Sequence, residues 1–120
     1  MSATPTEIRL RKKSRLLIVS FDDGNNFEFT FEYLRVHSPS AEVKGHGSGQ
    51  EVLQTGKEDV VIKAIDPVGH YAVRLVFDDG HDSGLYTWDY LHELGRDTAA
   101  NWQRYLDRLR VAGYSRKKPD

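Results

Sequence analysis

Cysteine is missing from this chain altogether. That single absence excludes disulfides, thiolate metal sites, iron–sulfur ligation and cysteine nucleophiles. It is compatible with a reducing compartment, and a cytoplasmic location is expected. Long apolar runs are missing too: none approaches the ~20 residues of a membrane span, and the first residues lack the core of a signal peptide. No membrane association is expected. Nor is there an excess of charge of one sign, with 17 basic against 18 acidic residues. A field that would draw the chain to nucleic acid is therefore not expected. At 120 residues one domain can bury its own core without staples.

What is present is a stretch that occurs twice. Phe21-Asp22-Asp23-Gly24-Asn25-Asn26-Phe27-Glu28-Phe29-Thr30-Phe31-Glu32-Tyr33-Leu34 returns as Phe77-Asp78-Asp79-Gly80-His81-Asp82-Ser83-Gly84-Leu85-Tyr86-Thr87-Trp88-Asp89-Tyr90-Leu91, with one extra residue after the turn. Asp-Gly between apolar segments signals a hairpin, here expected to be a type I′ turn. Phe27, Phe29 and Phe31 alternate with polar residues, the period of a half-buried strand. Tyr86 and Trp88 take the places of Phe29 and Phe31. Thr30 and Thr87 stand where a helix N-cap is wanted, each followed two residues later by an acid that suits the positive helix end. The match through cap and first helical turn points to a pseudo-repeat within one domain.

Around the repeats, Glu7–Arg11 reads as a short strand and Arg15–Phe21 as a strand covered on both faces. His37–Glu58, dense in glycine and serine, reads as a long mobile loop. Its run from Gly45 to Gly49 lacks the lysine of a P-loop, which argues against a phosphate cradle. Val60–Ile65 is the next strand, Asp66-Pro67 a turn, and Tyr71–Phe77 a strand with Val73, Leu75 and Phe77 on one face. Asp97 or Thr98 then caps the only long helix, whose Trp102, Tyr105, Leu106 and Leu109 form one apolar stripe. Gly113 suits the position just past its end. The expected fold is α+β: a curved, mostly antiparallel sheet of about six strands, two short helices and one C-terminal helix. The domain is expected over residues 7–114, with flexible tails at 1–6 and 115–120.

No catalytic residue is assigned from the sequence. The pairs Asp22-Asp23 and Asp78-Asp79 resemble hard-metal ligands, but aspartate before glycine is what the turn itself wants. The serines lie in loops without a nucleophile-elbow context, so a serine–histidine–acid set is not expected. Imidazole suits zinc or iron(II), and His81 with His37 or His46 is the candidate metal set, although no histidine pair has the spacing of a helical zinc motif. The aromatic residues fall on core faces and are not interleaved with basic ones, which argues against base stacking.

Leu34-Arg35-Val36-His37-Ser38-Pro39-Ser40, together with His81-Asp82-Ser83-Gly84-Leu85-Tyr86-Thr87-Trp88-Asp89-Tyr90-Leu91, resembles the N-terminal domain of γ-butyrobetaine hydroxylase. It resembles still more closely the small bacterial proteins of a family of unknown function that shares this domain. The likeness runs roughly from Glu7 to Leu94. It implies a domain that, in the hydroxylase, holds a structural zinc by three cysteines and a histidine, while the iron chemistry belongs to a separate domain. In this chain the cysteine positions hold Ser38, Ser40 and Val43, and only the histidine survives, as His81. Serine hydroxyls are poor zinc ligands. No resident cofactor is therefore expected, and weak zinc or iron binding is the alternative. Similar domains also occur attached to iron–sulfur carrier ATPases of the Mrp type. The expectation is a non-catalytic protein-interaction or accessory module, not an enzyme, with such an ATPase as a candidate partner.

Overall fold

The computed structural model describes residues 3–45 and 51–117. Six strands form two antiparallel three-stranded sheets rather than one curved sheet. The first contains β1 (Pro5–Arg11), β2 (Leu16–Phe21) and β3 (Asn26–Thr30); the second contains β4 (Ile62–Val68), β5 (Ala72–Phe77) and β6 (Leu85–Thr87). Each sheet is followed by a helix, α1 (Phe31–Val36) after the first and α3 (Trp88–Arg96) after the second. A four-residue helix, α2 (Ala41–Lys44), follows α1, and α4 (Thr98–Val111) is the last helix among the described residues. The α+β class stands.

The repeat is deeper than its sequence match. Both first strands carry a register irregularity at the same place, between Pro5 and Glu7 in β1 and between Ile62 and Ala64 in β4. Asp22 exchanges backbone and side-chain bonds with Thr4, and Asp78 does the same with Val61. In each hairpin the glycine N–H donates to the phenylalanine three residues back, Gly24 to Phe21 and Gly80 to Phe77. The turns are not of type I′. Gly24 and Gly80 both have φ +89°, whereas neither preceding aspartate has positive φ. These are three-residue loops whose single left-handed residue is glycine, the common turn-plus-bulge alternative. Asp23 and Asp79 accept from the amides of Asn25 and His81 and so close the loops. The caps stand as expected: Thr30 accepts from Tyr33 N–H and Thr87 from Tyr90 N–H, each at 3.1 Å.

Alternating positions of both sheets meet in one core. Leu17, Val19, Phe21 and Phe29 face Val73, Leu75, Phe77 and Tyr86, with Leu34 and Leu91 from the two helices. β2 is buried on one face only, since Leu16 and Ile18 are half-covered. That corrects the expectation of cover on both sides. Asp66-Pro67 is not a turn but lies inside β4, opposite Arg74 and Val73. An edge strand tolerates a proline because one row of its amides has no ladder partner. The turn comes at Gly69, with φ +54°.

Tyr105 and Leu109 of α4 are buried against Val36, with Trp102, Leu106 and Tyr114 packed around them. The helix ends in a Schellman arrangement: Gly113 N–H donates to Arg110 O and Tyr114 N–H to Leu109 O. Its N-cap position is Asp97, whose side chain bonds Arg96 instead of capping. At the boundaries, β1 takes in Pro5 and Thr6, and Arg116 reaches back to Glu32. Among the described residues no helix is long and apolar enough to cross a membrane.

Candidate functional site

The two halves are locked by exchanged contacts. Arg35, one residue past Leu34 on α1, bonds Asp79 of the second hairpin at 2.9 Å. His92, one residue past Leu91 on α3, bonds Asp23 of the first hairpin at 2.8 Å. Tyr33 donates its hydroxyl to Leu94 O and Tyr90 donates its own to His37 O. These are the same bonds drawn twice, each from one half to the other. Burial alone would raise the Asp79 carboxyl, but bonds from Lys57, the His81 amide and Arg35 hold it down at about 2.

The symmetry fails around His81. In the first half the Phe27 ring lies so close to Gly95 that a Cβ there would run into it. The counterpart of Phe27 in the second half is Gly84, and the counterpart of Gly95 in the first is Ser38. A polar ring is assembled at this place. His81 Nδ1 lies 3.0 Å from Glu42 Oε2 and its Nε2 lies 2.8 Å from Ser38 Oγ. Ser83 Oγ bonds Glu42 at 2.8 Å and Ser40 Oγ at 2.7 Å, and Ser40 N–H returns to Ser38 Oγ. Burial lowers the proton affinity of His81, and Arg35 lowers it further, against Glu42 and Asp79. The neutral ring keeps its proton on Nδ1 for the carboxylate, which leaves Nε2 to accept from the Ser38 hydroxyl.

Serine, histidine and glutamate in this order have the connectivity of a hydrolase triad, a set that reading the serines as isolated loop residues did not anticipate. One feature works against a nucleophile. Ser38 is 0% exposed, so a substrate carbon cannot reach its Oγ at the ~3 Å that attack requires without the ring opening.

Three of the four positions that the resemblance gives to zinc converge on this ring: Ser38 bonds His81 directly and Ser40 joins through Ser83, while Val43 is buried on α2. His37 does not join His81. Its Nδ1 bonds Tyr33 O at 2.9 Å, and its ring packs against that of Tyr33. His46, together with most of the glycine-rich run, lies outside the described residues. Among the described residues no group of three histidine, aspartate or glutamate side chains is arranged to hold a metal.

A second feature, not read from the sequence, is a cleft of about 550 Å³ between α1, α2, α3 and α4. Its apolar wall is Val36, Val43, Leu94 and Tyr105, and Lys44, Arg104 and Arg108 supply positive charge. None of these three cations has an ion-pair partner among the described residues. Lys44 instead lies over the Tyr90 ring, 4.3 Å from its centre. Burial lowers the His37 proton affinity, the bond to Tyr33 O opposes it, and Arg104, Arg108 and Lys44 lower it further. Helical spacing places Arg104 and Arg108 on one face of α4. Lys44 joins them only because α2 interrupts what reads as a loop, capped by Ser40 accepting from Glu42 N–H.

The comparisons agree with this architecture. A protein solved by NMR is 53% identical, with a TM-score of 0.82, over 96% of this chain and 86% of its own. A second NMR structure is 46% identical, with a TM-score of 0.84, over 100% of this chain and 94% of its own. A crystal structure from Acidithiobacillus ferrooxidans, of a protein of unknown function in the DUF971 family, is 43% identical with a TM-score of 0.65. It spans 77% of this chain and 92% of its own. No curated protein matches. The profile described as γ-butyrobetaine hydroxylase-like, N-terminal, matches residues 8–92. With most of its length matched, the chain belongs to the γ-butyrobetaine hydroxylase-like N-terminal family.

Proposed function

We propose that this chain is a non-catalytic accessory module that docks onto another protein through the cleft between α1, α2, α3 and α4. The observation that carries the reading is the pairing of an apolar wall with three cations that have no ion-pair partner among the described residues. Unpaired cations beside apolar surface are the ordinary material of an interface rim around a buried anchor. The sealed hydroxyl of Ser38 supports a structural duty for the polar ring rather than turnover. Both ring nitrogens of His81 are already engaged, which counts against the alternative of weak zinc or iron binding. The partner class implied by the family resemblance is an iron–sulfur carrier ATPase of the Mrp type, in the cytoplasm.

The test is cross-linking in native cells from a photoreactive residue placed at Val52, an exposed position on the rim, with Val111, exposed and not among the cleft-lining residues, as control. One protein cross-linked from Val52 and not from Val111 is expected. Equal, diffuse cross-linking from both positions overturns docking through the cleft. Stoichiometric zinc or iron that elemental analysis finds in the purified protein, lost on replacing His81, hands the site to metal.

A further inference from the structure

We propose that the cleft receives an acidic segment of the partner, whose carboxylates are held by Lys44, Arg104 and Arg108. This rests on the docking reading above and names the chemistry of its occupant.

The charge count comes first. Three cations and two acids, Glu51 and Glu93, line the cleft, so 3 − 2 leaves one net positive charge. Neither acid lies within ion-pair distance of the three cations. The cations come from two elements, Lys44 from α2 and Arg104 and Arg108 from α4. Arginine presents a planar fork that suits a carboxylate. Val36, Val43 and Leu94 beside them offer apolar contact for the neighbouring side chains of such a segment.

The experiment is an amide NMR titration at fixed ionic strength with three probes: a blocked hexapeptide alternating leucine and glutamate, the same peptide with glutamine, and free succinate. The glutamate peptide should shift residues 36–44 and 101–108 saturably. The glutamine peptide should bind at least ten-fold more weakly. The same loss is expected for the glutamate peptide with the double variant Arg104→Gln/Arg108→Gln. Both arginines are exposed, so the variant should keep its melting temperature. Equal binding of the two peptides in the cleft overturns the acidic occupant and leaves docking standing. Succinate binding as tightly as the glutamate peptide overturns it in favour of a small anion. If neither peptide shifts the cleft residues the inference fails, and the cross-linking from Val52 decides the docking reading by itself.

Discussion

The two halves of this protein solve one packing problem in opposite ways. In the first half, the space between the strand after the hairpin and the helix of the other half is filled by the Phe27 ring against Gly95. In the second, Gly84 and Ser38 stand at those positions and the space holds the His81–Ser38–Glu42 ring. Hairpin, bulge, cap and cross-bonds are kept in both. An aromatic filler needs only shape, whereas a polar one needs every donor and acceptor supplied. The second half therefore recruits Ser40, Glu42 and Ser83 as well. Among the described residues no buried side-chain polar atom is left without a partner.

The comparison breaks hardest in the core. Phe29→Ala and Tyr86→Ala should each destabilise by about 3–5 kcal/mol, read from urea melts. Tyr86→Ala should be the costlier, because Leu34 O also loses its donor. A cost below about 1 kcal/mol for Tyr86→Ala would mean that the second half is not packed as the first is.

Next in size are the two fillings themselves. Gly95→Ala should cost about 1–3 kcal/mol by overpacking against Phe27, and Phe27→Leu in the same chain should recover part of it. Ser38→Ala should cost about 1–3 kcal/mol, since it leaves a buried acceptor on His81 without its donor. If Ser38→Ala proved neutral, the ring would not be what holds that half.

The cross-half ion pairs should differ by acid sensitivity. Asp79 has its folded pKa depressed from 3.8 to about 2, so the unfolded chain binds more protons in that window. Its stabilisation is complete above pH 4 and is lost as pH falls through about 2. Asp79→Asn should flatten this acid limb. The matching bond from His92 reaches an aspartate that is more exposed than Asp79, so His92→Gln should give the smallest change of the set. A larger effect from His92→Gln than from Arg35→Gln would reverse the ranking of the halves.

Much of the scaffold was legible because it is local. Threonine caps, Asp-Gly hairpins, the stripe on α4 and the role of Gly113 each depend on residues a few positions apart. The turn type was misread because Asp-Gly serves both the type I′ turn and the bulged loop, and only the backbone angle before the glycine separates them. Asp66-Pro67 misled because proline is common in turns but an edge strand also tolerates it. The polar ring was half legible. The family resemblance placed Ser38, Ser40 and His81 together, but Glu42 and Ser83 meet only through the folded chain and no spacing announces them. The exchanged pairs had a signal that alignment of the repeats provides, since Arg35 and His92 hold one position and Asp23 and Asp79 another.

The reciprocal tyrosine bonds carry a consequence for inheritance. Tyr33 closes a carbonyl at the end of the second half's helix, and Tyr90 closes one at the end of the first. Helix ends need such partners, and each half has placed its own in the keeping of the other. Neither copy can now drift as a free duplicate would. A change that moves one helix by an ångström withdraws a donor from its twin, so the two stretches must vary together or the change must be small. The positions free to differ between the halves are those the exchange does not touch, and the Phe27/Gly84 position, where one half carries a ring and the other a polar site, is such a place.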